Sequence, residues 1–175
     1  MLYRAVALNL WRWGGEPASE FEALRACDIG SIGLDDPELR SEAVSSIASR
    51  ISAYGSVRHA LLERQRDFAA QDGGAVLDGR DIGTVIVPNA DAKLFVTALA
   101  DVRARRRVEE LLKRGMPATY EDVLIDIRAR DERDSGREAA PLVQATDADL
   151  LDTGDLSIEE AVTAAIRLVE ARVGA

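Results

Sequence analysis

Apolar residues at Leu2, Val6, Leu10 and Trp13 recur at helical spacing and stop at Gly14-Gly15, which predicts an opening helix over 1–13. A short helical stretch follows over 20–27. Asp36-Pro37 puts a capping side chain ahead of a first-turn proline and predicts a helix running on to Ala53, with Val44, Ile47 and Ile51 on one face. Gly55 breaks it, and Val57, Leu61, Leu62 and Phe68 mark another helix to Ala70. Four helical pieces therefore precede any strand.

The pattern then changes. Ala75-Val76-Leu77, Leu94-Phe95-Val96 and Leu150-Leu151 are short apolar runs bounded by Gly, Asp or Pro, and they read as buried parallel strands. Helices are expected between them over 101–114, stopped by Gly115 and Pro117, and over 119–133. Ser157 with Glu160 forms a capping box for a last helix reaching Val173. Strands alternating with helices of this length imply an α/β layer fold.

Composition narrows the chemistry. The net charge is −9, with 22 basic and 31 acidic residues, which excludes indiscriminate binding to nucleic acid or anionic membranes. All the cations but Lys93 and Lys113 are arginines, whose planar forks suit phosphate and carboxylate, although genomic base composition produces the same excess. A lone Cys27 and a lone His59 leave no disulfide, no Cys/His zinc cluster and no evident triad. No apolar run has the length of a membrane span, and the first fifteen residues lack a signal-peptide pattern, so a soluble cytoplasmic protein is expected.

Three segments could carry chemistry. In the first, residues 76–84 place a strand and then a glycine-articulated turn with Asp78, Arg80 and Asp81, where ligands of open α/β sheets collect; the plainer reading is a solvated Asp-Gly turn. In the second, Arg128, Arg130, Arg133 and Arg137 interleave with Asp131, Glu132 and Asp134. That run reads either as a phosphate-handling segment or as a solvent-facing helix laced by i,i+3 and i,i+4 pairs. The third is Arg103, Arg105, Arg106 and Arg107, cations that open a helix against its dipole, a placement a ligand could offset.

Taken together, LYRAVAL at 2–8, AS at 48–49, VR at 57–58, LLERQR at 61–66, LDGRDIGT at 77–84, RDERDSGREAAPL at 130–142 and LLDTGDLSIEE at 150–160 resemble bacterial cytidylate kinase, a P-loop nucleoside-monophosphate kinase family. The resemblance spans nearly the whole chain. It implies a three-layer α/β fold with a parallel sheet, a helical CMP-binding insert over 14–70 and a core over 71–175 carrying a lid over 115–140, all within one domain of 1–175. It also implies ATP-dependent phosphorylation of CMP or dCMP in pyrimidine metabolism, with Mg²⁺ accompanying ATP, by a monomer with no polymeric nucleic-acid partner.

By the same resemblance Ser49, Arg58 and Asp81 line the cytosine pocket, where a carboxylate suits the N4 amine. Arg4, Arg80 and Arg130 hold the CMP phosphate, while Asp134 and Arg137 reach sugar and phosphate from the lid. Arg133 is a lid arginine, and Arg103 and Arg107 resemble the pair near the donor nucleotide. Arginines converging on one phosphoryl group stabilise charge on its equatorial oxygens, so Arg130, Arg133 and Arg137 are the expected catalytic cations. Gly136 stands where the family more often has Asn.

The chain departs from the family at its start. Members open with a strand, a GxxGxGK-type loop, a helix and a second strand before LYR, whereas this sequence begins Met1-Leu2-Tyr3-Arg4, and neither lysine follows a glycine. The expectation is a sheet without its first two strands and without an ATP phosphate cradle, so that phosphoryl transfer by these residues is slow or nil. Unpaired ladder groups would then cost about 1–3 kcal/mol each. A start codon assigned too late is one explanation and predicts about thirty-five upstream residues with the missing loop. A true deletion, leaving a nucleotide-binding pseudoenzyme, is the other. Residues 26–34 are all that could remain of the strands many relatives carry in the insert.

Overall fold

The computed structural model describes residues 1–30, 32–33, 35–137 and 140–174. Ser31 and Leu34, in the possible remnant of the insert strands, and Glu138 and Ala139, in the RDERDSGREAAPL run, lie outside the described residues. The chain divides into two compact units, Met1–Leu77 and Asp78–Ala175.

The first unit is helical. It contains α1 (Leu2–Arg12), α2 (Glu20–Arg25), a 3₁₀ turn (Pro37–Arg40), α3 (Glu42–Ile51) and α4 (Gly55–Ala69). α1 buries Ala5, Val6, Ala7, Leu8 and Leu10, more than one face, and so forms the centre of the unit. Val44, Ala48 and Ile51 of α3, Val57 and Leu61 of α4, Ala23 of α2 and Leu39 complete the core around it. Each such aliphatic side chain, once fully buried, contributes about 1.5–3 kcal/mol.

Two expectations for this unit need correction. Trp13 is not on the buried stripe: it is the C-terminal cap of α1, followed by Gly14 at φ +77°, and its ring lies 5.1 Å from the Arg25 guanidinium. The expected single helix from Asp36 is two pieces. Asp36 caps the 3₁₀ turn by accepting from the Glu38 N–H at 3.0 Å. Ser41 then turns extended (φ −68°, ψ 154°) and caps α3 through Oγ, so a second capping residue ends the first segment and starts another.

The second unit is α/β. It begins with a wide turn over Ile82–Ile86, then β1 (Leu94–Thr97), α5 (Ala100–Lys113), α6 (Tyr120–Ser135), β2 (Asp149–Asp152) and α7 (Ile158–Val173). β1 and β2 pair in parallel with Leu94 opposite Asp149 and Thr97 opposite Asp152. α5 and α6 form the crossover that a parallel pair requires. Lys93 fixes the start of this ladder. Its carbonyl accepts from Asp149 N at 2.9 Å, while its buried ammonium donates to Pro88 O and, at 2.6 Å, to Asp147. α7 opens with the expected capping box.

The run 75–77 is not a strand. Among the described residues the sheet has two strands, Val76 is 95% exposed, and Gly73 and Gly74 approach the run at φ +88° and +83°. Three apolar residues after a pair of left-handed glycines lack the length and the neighbouring ladder that hold a strand. The helix-rich α/β class with a small parallel sheet holds.

Candidate active site

In the first unit the expected nucleotide-side residues gather along one stripe of α3. Arg4, on α1, donates from its two terminal nitrogens to Leu39 O at 2.7 Å and to Ser45 Oγ at 2.9 Å. Arg58, nearly buried on α4, donates to Ser52 O at 3.3 Å, and Ser52 Oγ donates to Ser49 O at 3.0 Å. Ser45, Ser49 and Ser52 follow helical spacing, so α3 offers Arg4, Ser49 and Arg58 a common face.

In the second unit the LDGRDIGT segment forms a turn wider than an α-helical one. Ile86 N donates to Asp81 O at 3.2 Å and Val87 N to Ile82 O at 2.7 Å, both spanning five residues. Such π-type turns concentrate at functional sites. The turn buries Asp81 while Asp78 stays exposed, so the solvated-turn reading fits Asp78 and not Asp81.

Asp134, on α6, is buried between two guanidiniums. Arg80 Nε donates to Oδ2 at 2.7 Å, and Arg137 donates to Oδ1. The pair Asp134–Arg137 is almost wholly buried and Arg80 is about half exposed. Asp134 O also accepts from Leu142 N at 2.8 Å, anchoring the chain beyond α6.

Arg130, one turn earlier on α6, is the electrostatic focus. Burial disfavours its charged form most strongly; Asp126 offsets this in part, and Arg133, Arg107 and Arg80 add to it. Three guanidiniums, from α5, from α6 and from the segment just before the wide turn, thus act on Arg130, which is a concentration of positive potential inside an acidic chain.

The arginines opening α5 divide. Arg103 donates from both terminal nitrogens to Asp131, at 3.0 and 2.6 Å, and from Nε to Ala98 O at 3.0 Å. Arg106 donates to the carbonyls of Thr153, Gly154 and Leu156 in the turn after β2. Arg107 pairs with Glu110 at 2.6 Å. Protein carboxylates and carbonyls thus supply the offset to the α5 dipole that the sequence pattern assigned to a ligand.

Charges on α6 pair largely with other elements. Arg103–Asp131, Arg80–Asp134 and Arg128–Asp101 join α6 to α5 or to the wide turn, whereas Asp134–Arg137 is the i,i+3 pair in the run. Sequence reasoning named Asp131 within a charge run without its partner and did not single out Asp101 or Tyr120, because the partners lie on another helix, where intrahelical spacing gives no signal. The alternation of signs on both helices was the available clue.

A groove of about 460 Å³ lies elsewhere in the second unit, lined by Gly83, Thr84, Lys93, Gln144, Thr146 and Asp147 among others. Lys93 and Asp147 satisfy each other there. The groove contains none of the arginines, and the converging guanidiniums are the better candidate for chemistry.

The family model for cytidylate kinase matches residues 31–171. The chain belongs to the cytidylate kinase family. It is 56% identical over 174 residues to a cytidylate kinase of Xanthobacter autotrophicus (strain ATCC BAA-1158 / Py2), covering 98% of this chain and 83% of that relative. It is 51% identical over 174 residues to one of Caulobacter sp. (strain K31), covering 97% and 79%, and 54% identical over 172 residues to one of Rhodopseudomonas palustris (strain HaA2), covering 98% and 81%. The match takes in Arg80, α5 and α6, which carry the arginine cluster here.

Among the described residues no helix is long and apolar enough to cross a membrane. Nor do three His, Cys, Asp or Glu side chains gather there to hold a metal ion.

Proposed function

We propose that the chain takes part in moving the γ-phosphoryl group of ATP to CMP or dCMP. The observation that carries this reading is the guanidinium cluster of the second unit, Arg80 and Arg137 on the two oxygens of the buried Asp134 with Arg130 one turn earlier on the same helix, together with the burial of Asp81. Phosphoryl transfer asks a protein chiefly for positioning and for cations around the equatorial oxygens, and a guanidinium cluster supplies both.

In this reading Arg80, Arg130 and Arg4 hold the CMP phosphate, Arg133 and Arg137 act from a lid formed around α6, and Asp134 keeps Arg80 and Arg137 aligned and reaches the sugar. Asp81, with Ser49 and Arg58, reads the base: a carboxylate accepts from the cytosine N4 amine and repels the oxygen uracil carries at that position. Arg103 and Arg107 are assigned to the donor side. ATP with Mg²⁺ is the donor of the family. These residues contain no glycine–lysine loop for its β- and γ-phosphates, so the acceptor side is where the reading is tested directly.

Calorimetry with CMP, dCMP and UMP is the test. CMP or dCMP should bind at least about tenfold more tightly than UMP, as a hydrogen-bond donor opposed by an acceptor demands. Equal affinity for CMP and UMP, or no binding of either, would overturn the assignment.

A further inference from the structure

α6 shows two faces to two environments. Arg128 and Asp131, three residues apart, are tied to α5: Asp131 takes the Arg103 fork at 2.6 and 3.0 Å, and Arg128 lies 3.7 Å from Asp101. Asp101 also accepts from Tyr120 Oη at 2.7 Å, at the start of α6. The other face carries Asp126, Arg130, Arg133 and Asp134, with Asp134 held by Arg80. Each residue advances about 100° around the helix, so the roll of α6 decides whether Arg130 or Asp131 meets the cluster.

Like charges brought together favour any motion that separates them, and α6 could relieve Arg130 by turning about its axis. A bidentate fork constrains that turn in direction as well as distance. We infer that Asp131 and Asp101 are positioning residues: from outside the cluster they fix the roll of α6 against α5, so that Arg130 and Arg133 keep facing Arg107 and Arg80. The inference rests on reading those arginines as a phosphate site and adds what holds the site in register. Arg103 and Asp131 are 39% and 44% exposed, so their pair adds little to stability and its effect is concentrated on geometry.

The test uses inorganic tripolyphosphate, which needs the cationic cluster and no base pocket. Asp131→Asn should weaken its binding about fivefold, while the unfolding temperature without ligand falls by less than about two degrees, as loss of an exposed pair worth a few tenths of a kcal/mol allows. Asp131→Glu should restore binding to within about twofold, because the carboxylate can still reach the fork. Asp101→Asn, at the other clamp, should weaken binding in the same direction. Unchanged binding in Asp131→Asn overturns the inference, as does a loss matched by a fall in ligand-free stability or the absence of rescue by Asp131→Glu. If tripolyphosphate follows this pattern while CMP and UMP bind alike, the base-recognition reading fails and the positioning role stands. If the wild-type chain does not bind tripolyphosphate, the positioning role falls.

Discussion

Arg80 donates from Nε to Asp134 Oδ2 at 2.7 Å, joining side chains fifty-four positions apart in sequence. The contact links the wide turn after Leu77 to α6, and Arg137 completes it from the other oxygen. A carboxylate held between two guanidiniums lets both arginines lie close together without an external anion.

Asp134→Ala should therefore destabilise the protein by about 3–5 kcal/mol, because it removes the carboxylate paired with the buried Arg137 guanidinium. Arg80→Ala should cost only about 1 kcal/mol, since Arg80 is half exposed and Asp134 keeps its second partner. Urea unfolding followed by circular dichroism measures both; equal costs would show that Arg80, not Arg137, is the partner that matters.

Asp81→Ala should weaken CMP more than UMP, whereas Arg80→Ala should weaken both nucleotides alike. Parallel titrations by calorimetry read the difference. If Asp81→Ala lowers both affinities equally, Asp81 serves the turn and not the base.

Acid should unfold the protein as its paired carboxylates take up protons. Asp36 is held below its ordinary value by the Glu38 N–H and then Arg12, Asp101 by Tyr120, Asp147 by Lys93, and Asp149 by Arg172. Each binds its proton less readily folded than unfolded, so its stabilising contribution is complete above about pH 4 and fades as the pH drops through the lower folded values. Urea midpoints should be level from pH 7 to about pH 5 and fall below about pH 4, and Asp147→Asn should make that fall shallower. An unchanged slope in Asp147→Asn would mean that the Lys93 pair contributes nothing to the acid limb.

Leu8→Ala, at the centre of the first unit, should cost about 2–5 kcal/mol. Ser157→Ala should cost about 0.5–2 kcal/mol through loss of the α7 cap. Thermal unfolding of the two variants checks the ranking.

Much of this was legible in the sequence for local reasons. Gly14, Gly55, Thr119 and Ser157 mark helix ends by their own backbone or capping chemistry, and the α7 capping box stands where its spacing places it. The strand assigned to 75–77 failed because strand formation depends on a ladder neighbour, which no window of sequence contains. The same reason hid the partner of Asp131 and the role of Asp101: their meaning lies in Arg103 and Tyr120, on neighbouring helices. LDGRDIGT was readable as a turn, yet the burial of Asp81 and not Asp78 follows from the five-residue spacing of its hydrogen bonds, which composition does not encode.

Arg106 gathers the carbonyls of Thr153, Gly154 and Leu156 under one planar head group, so the strand's exit and the body of α5 are mechanically one piece. The last strand thus leaves its ladder anchored to a helix that lies forty-seven to fifty positions earlier in the chain.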